Sequence, residues 1–311
     1  MQSTPAINRF SYVSHEAIDK ARWDNAMMGF PSGSLFATAA FLDVLCPGWC
    51  AILDEEYQVL LPLPVRKKWG MDYIFQPFFI QSLGLFSSEP LPEKMMIEAF
   101  KTIPTRFKIV DIALNTFNKY TPVGFKSKRN QTYVLGLSPS LDIIEVGFSN
   151  NCKRNVRKAA KHAVEIHDNP DLQQIIDLFV GNKGKKAVHF KEADYGILTQ
   201  LINLTPQDCR RSFGAYDAQG HLLAGVVFIR SFQQWHFFFS GANQQARELG
   251  AMPALIYHFI QSAAGTNAVL NFNGSNDPSL ANFYGGFGAI ATTYKTIRRN
   301  GLPFVLKWLK G

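Results

Sequence analysis

Residues 222–230 (LLAGVVFIR) and 234–240 (QWHFFFS) are each apolar or aromatic and of strand length, and only a short link separates them, so they belong side by side as antiparallel strands. The turn Asp217-Ala218-Gln219-Gly220 launches the pair. The order of segments from the second strand onward constrains the chain further: the strand WHFFFSG, the polar loop ANQQARELGAM, and a helix that opens at Pro253 and ends near Gly265. A loop in that position can aim a row of free backbone N–H groups at an anion, and the helix macrodipole adds partial positive charge at the same spot. Arg247 supplies a charged donor for a pyrophosphate there, and Gly250 and Ala251 are small enough to let a phosphate approach the backbone. The plainer reading of the same residues is a surface loop whose glycine permits a turn.

The chain has 311 residues, which favours two domains of ordinary size. Helical periodicity is expected over 16–28, 38–45, 92–103, 170–180 and 194–202, and strands over 49–54, 57–64, 73–76, 107–114 and 131–137. Further strands are expected over 164–166, 209–216, 268–273 and 291–297, with a short helix over 279–284. The pattern is α/β, a mixed α+β sheet. A polar stretch at 115–128 with Pro122 and Gly124 places the domain boundary, giving 1–128 and 129–311.

With 47% hydrophobic residues the chain can build a sizeable core, and disorder is excluded for most of it. A net charge of +8 favours acidic partners such as phosphates, nucleic acid or anionic cofactors. Four cysteines without a CxxC pair suggest a reduced, cytoplasmic protein. The N-terminus shows no secretory pattern and no run of eighteen apolar residues occurs, so neither secretion nor membrane spanning is expected. No cluster has metal-ligand spacing, so no metal is expected.

Residues 148–162 (FSNNCKRNVRKAAKH) carry five cations on a helix capped near Ser149 or Asn150. Arg154, Arg157, Lys158 and Lys161 recur at helical spacing and Lys153 precedes them. A phosphate-binding stripe and a solvated surface helix are both open readings, and the absence of acidic residues between Ser149 and Val164 speaks for the stripe. His236 and His258 sit on apolar elements and read as core histidines, and Cys152 reads as structural.

The hairpin, the Arg247-x-x-Gly250-Ala251 loop and the later Asn282-Phe283-Tyr284-x-x-Phe287-Gly288 segment resemble the GCN5-related N-acetyltransferase (GNAT) superfamily. KRNVRKAAKHAVEI, followed by FNGSND and FYGGFGA, resembles its FemAB-like branch, in which two GNAT-like domains stand in tandem. The stretch LFATAAFLDVLCPGWCAILDEEYQVLLPLPV looks like the first of the two. The resemblance implies an N-acyltransferase that moves an acyl group from a small-molecule donor, acyl-CoA, to an amine acceptor by direct attack. It implies cofactor contacts at Phe239, Ser240, Gly241, Arg247, Gly250 and Ala251, and Tyr284 as proton donor to the leaving group. Substrate contacts would fall to Lys153, Arg154, Arg157, Asn273 and Ser275, though the last two also suit a simple turn, and Tyr284 also suits plain packing.

Two departures stand out. Met252 fills the last small position of the family's Gln/Arg-x-x-Gly-x-Gly/Ala loop, and the chain leaves no room for the long helical hairpin of the peptidoglycan-building members. An aminoacyl-tRNA donor, as in those members, and a non-catalytic anion-binding protein are the alternatives that remain.

Overall fold

Short apolar strands and capped helices build the first part of the chain. The elements are β1 (Phe10–Val13), α1 (Lys20–Gly29), α2 (Ala39–Leu45), β2 (Cys50–Asp54), β3 (Val59–Leu63), β4 (Val65–Lys68), β5 (Met71–Ile74), β6 (Phe86–Ser87), α3 (Glu93–Lys101), β7 (Ile109–Leu114) and β8 (Lys126–Gly136). The computed structural model describes residues 9–68, 70–183, 190–274 and 276–302.

α1 begins four residues later than periodicity suggests, because the Asp19 side chain accepts from the Arg22 N–H and sets the cap there. β1, β2, β3 and β6 form an antiparallel sheet in that order. Its β2 and β3 are buried at every position. Trp23 packs on Trp49 with ring centroids 4.8 Å apart, and its indole N–H donates to the Ala37 carbonyl, so a large buried ring leaves no polar group unpaired. The hairpin of β4 and β5 has no clear signal in the sequence, since VRKK reads as exposed and charged.

The remaining elements are α4 (Leu141–Val146), α5 (Asn150–Lys161), β9 (Glu165–Asp168), α6 (Leu172–Lys183), α7 (Glu192–Leu204), β10 (Arg210–Tyr216), β11 (Leu222–Ser231), β12 (Gln234–Ala242), α8 (Gln244–Leu249), α9 (Ala251–Ala263), β13 (Val269–Asn271), α10 (Pro278–Gly285) and β14 (Ile290–Asn300). By contacts the chain divides into two compact units, 1–130 together with 293–311, and 131–292. The first unit therefore includes a stretch from the far end of the chain, where β14 pairs antiparallel with β7.

In the second unit the strand order is β8-β13-β12-β11-β10-β9. Every pairing is antiparallel except β12 with β13, which is parallel and joined through α8 and α9. The expected hairpin of β11 and β12 forms, with Ala224 to Ser231 opposite Ala242 to Gln234. α9 buries its apolar face on these strands, and Phe259 stacks on Phe228 at 3.9 Å between centroids, both rings fully enclosed. α6 covers another part of the sheet. A Cβ on Gly225 would strike the Ile175 side chain, and one on Gly241 would overlap the Ile175 carbonyl and the Phe179 N–H, so these glycines are where the helix backbone comes closest.

A candidate active site at the end of β12

The pairing of β12 with β13 is brief. It runs from Gln234–Val269 to His236–Asn271 and stops, while β12 continues to Ala242. Just past that point β12 bulges: Phe237 faces Phe228 and Phe239 faces Val227 on β11, leaving Phe238 as the extra residue. The parallel strands thus part beside a bulge, and Phe238 to Gly241 have no β13 residue opposite them.

A buried polar network marks the point of parting. Thr132, His236 and Asn271 are all buried. The Asn273 carboxamide takes a hydrogen bond from His236 Nδ1 at 2.7 Å and gives one to the Phe237 carbonyl at 3.2 Å. Asn271 accepts from the Thr132 hydroxyl and from the Asn273 N–H, and donates to the Gln234 side chain. The Gly274 N–H donates to Thr132. Asn273 and Gly274 both have positive φ, 55° and 81°, a pair of left-handed residues that turn the chain sharply off β13; asparagine tolerates this better than most side chains. Burial pushes His236 down to about 4, so the ring is neutral and donates from Nδ1. Both ends of the Asn273 side chain are engaged internally, so its geometry is that of a brace and not of a substrate contact. Ser275 lies outside the described residues.

The expected anion loop is not a loop. Asn243 caps a helical turn by accepting from the Ala246 N–H, and Gln-Gln-Ala-Arg-Glu-Leu, good helix formers, continue it as α8. Gly250, at φ 76°, ends α8 and begins α9 in one residue. Of the N–H groups at 250–253, that of Gly250 bonds the Ala246 carbonyl and Pro253 has none. The row of free donors shrinks to Ala251 and Met252. Arg247 is exposed on α8.

α5 takes up the space that remains. A Cβ on Gly250 would overlap the Asn155 carbonyl of α5, so its small size serves helix packing. The Ser149 side chain caps α5, as expected, and the Ser149 N–H donates to the Gly286 carbonyl just past α10 at 2.9 Å. Between the starts of α5 and α9 and the end of α10 there remains a cavity of about 30 Å³, lined by Cys152, Asn155, Pro253, Asn282 and Phe283 among others. That is room for about two water molecules. For the pyrophosphate of coenzyme A, which the resemblance implies here, the N–H groups of Ala251 and Met252 remain as backbone donors.

Tyr284 lies on α10, stacked on Phe272 at 4.6 Å and 93% enclosed. Its hydroxyl makes no hydrogen bond among the described residues, and burial pushes it up to about 12. Cys152 is buried and its thiol is also pushed up to about 12, which suits packing and not nucleophilic attack.

The cations of α5 share one side. At about 100° per residue, Lys153, Arg157, Lys161, Arg154 and Lys158 fall within an arc of roughly 140°, and the buried Cys152 and Ala159 lie on the opposite side. Among the described residues none of the five has an ion-pair partner. Arg154 donates only to Asn151, at 2.6 Å.

The residues that periodicity could not rank are Thr132, Gln234, His236 and Asn271. Their signal is polar residues two apart, Gln234 with His236 and Asn271 with Asn273, inside otherwise apolar strands. Only the parallel pairing brings the two sets together.

Residues 147–278 match the acetyltransferase (GNAT) domain family. That stretch of the second unit carries an acetyltransferase (GNAT) domain. The fold of nearly the whole chain is shared with several solved proteins. The crystal structure of FemX superposes with a TM-score of 0.64 at 12% identity, covering 89% of this chain and 96% of that one. L-PGS from Bacillus licheniformis superposes with a TM-score of 0.59 at 10% identity, covering 94% and 95%. Saccharomyces cerevisiae N-myristoyltransferase, solved with bound myristoyl-CoA, gives 0.51 at 13% identity over 96% of this chain and 82% of its own. No curated protein sequence matches the chain significantly.

Proposed function

We propose that the second unit transfers an activated acyl group to an amine by direct attack beside the Phe238 bulge, and that the acyl group arrives on an RNA, as an aminoacyl ester. The parting of β12 from β13 carries the reading. It leaves a strand edge next to a bulge, where backbone N–H groups can meet the oxyanion formed as the amine adds to the carbonyl. The new C–N bond forms, the ester C–O bond breaks, and the proton lost by nitrogen is balanced by one gained at the leaving oxygen. The brace of Asn273 and His236 holds the strands in that geometry.

Two features favour an oxygen ester on RNA. α5 presents five cations without acidic partners, the pattern that phosphate backbones neutralise. Tyr284 also suits it: a thiolate leaves without a proton, since thiols ionise near about 8.5, whereas a ribose oxygen needs one. Burial keeps the Tyr284 hydroxyl protonated, so it has a proton to give. The acyl-CoA reading retains support from the N–H groups of Ala251 and Met252 with Arg247 nearby in sequence.

The deciding experiment is binding of acetyl-CoA and longer acyl-CoAs by calorimetry, set beside binding of aminoacyl-tRNA over a range of salt. Expected are no thioester binding and tRNA binding that weakens steeply with salt. Thioester binding that Arg247→Ala abolishes, without tRNA binding, would overturn the donor assignment. Binding of neither, with no transfer, would favour a non-catalytic anion-binding protein.

A further inference from the structure

The loop between β7 and β8, in the first unit, sets apolar side chains in solvent beside a run of cations. Val123 is 70% exposed, Phe117 55% and Tyr120 40%. This is not slack chain. Asn118 is buried and pins the loop: its side chain accepts from the Leu85 N–H at 2.8 Å and donates to the Leu85 carbonyl at 2.9 Å, while Asn115 donates to the same carbonyl. Gly84 leaves room for this, since a Cβ there would overlap the Asn118 side-chain oxygen. Beyond the apolar residues, Pro122 is buried and a turn closes through the Phe125 N–H to the Pro122 carbonyl. Phe125 packs on Phe100 and under the Arg299 guanidinium. A loop anchored at both ends holds its apolar residues out at a cost that water alone does not repay.

Along the loop and the start of β8 the charge has one sign. Lys119 lies within the loop, and β8 opens with the exposed residues Lys126, Ser127, Lys128 and Arg129. Lys295 of β14 reaches the Lys119 carbonyl at 2.6 Å, bringing another cation to the loop. No acidic residue stands between Asp111 and Asp142, and among the described residues none of Lys119, Lys126, Lys128 and Arg129 has an ion-pair partner. Such a set of cations is drawn to a surface of fixed negative charge, and rings and a valine beside it can enter an apolar layer below that charge.

We propose that the Phe117–Val123 loop with the start of β8 docks the protein on an anionic lipid surface. Single-stranded RNA also pairs cations with rings, but it rewards ring faces for stacking, and the most exposed residue is an aliphatic valine with none. Lipid rewards all three apolar side chains and the cations together.

Flotation of the full chain with vesicles of phosphatidylcholine alone, and of phosphatidylcholine mixed with phosphatidylglycerol, tests it. Binding is expected only to the mixed vesicles. Lys126→Gln with Lys128→Gln and Arg129→Gln should weaken it on the order of a hundredfold. Phe117→Ser with Val123→Ser should weaken it several-fold and make what remains easily removed by salt. These positions are exposed, so melting temperatures close to that of the parent chain are expected and confirm that the variants fold. Equal binding to neutral vesicles, or unchanged binding by both variants, overturns the proposal. So does vesicle binding that Arg154→Gln with Arg157→Gln abolishes, which would assign the lipid to α5, or binding of tRNA in place of vesicles by the loop.

Discussion

The end of β12 and the start of α9 lie close together in sequence and have diverged in opposite directions. At the end of β12, the parting from β13, the bulge at Phe238 and a buried network keep open a place where a carbonyl can be held. At the start of α9, a helical turn, a proline and the backbone of α5 close up the stretch expected to be an open anion loop. The comparison teaches that an open strand edge and a closed helix start can stand a few residues apart, each fixed by contacts distant in sequence.

Gly250→Ala should break this comparison most severely. The substitution combines a left-handed φ with overlap of the Asn155 carbonyl, and a cost of about 3 kcal/mol or more is expected in denaturant unfolding. If Gly250 instead served an open phosphate loop, the same change would cost only the roughly 1–2 kcal/mol of the left-handed φ and would remove ligand binding.

His236 gives the next largest effect. Its folded-state value of about 4 lies below the unfolded value near 6.5, so between these the unfolded chain binds more protons than the folded one. Stability therefore rises with pH through that window and is lost as pH falls through it, by about 3 kcal/mol in all. His236→Gln should flatten this slope in unfolding measured from pH 7 to pH 4. Asn273→Gly keeps the left-handed turn but removes the side chain's bonds to the Phe237 carbonyl and His236, and should cost about 2 kcal/mol. Asn273→Ala should cost about 1 kcal/mol more, because alanine resists that φ. Equal losses for the two variants would mean that backbone strain plays no part.

Much of the fold is legible along the chain, because apolar runs such as 222–230 and 234–240 have a period that admits few structures. The cap at Ser149 is equally local. The features that stay hidden depend on contacts distant in sequence. ANQQARELGAM carries loop residues and helix formers together, and only the packing of α5 on Gly250 explains why the glycine is needed. His236 and Asn273 look like a core histidine and a turn asparagine until the parallel pairing sets them face to face. The β7–β8 loop reads as polar, and the buried Asn118 that turns Phe117 and Val123 outward carries no signal of its own.

The smallest expected effect bears on the α5 side of the comparison. Arg154→Gln with Arg157→Gln removes two of five cations from a helix whose fold depends on Cys152 and Ala159 facing inward, so stability should shift by less than about 0.5 kcal/mol. Affinity for aminoacyl-tRNA should fall roughly tenfold at moderate salt, and the slope of log affinity against log salt should become shallower by about 2. A surface helix without a phosphate partner would leave the slope unchanged. The slope is the sharper readout, because it counts phosphate contacts whether or not transfer to the amine has been assayed.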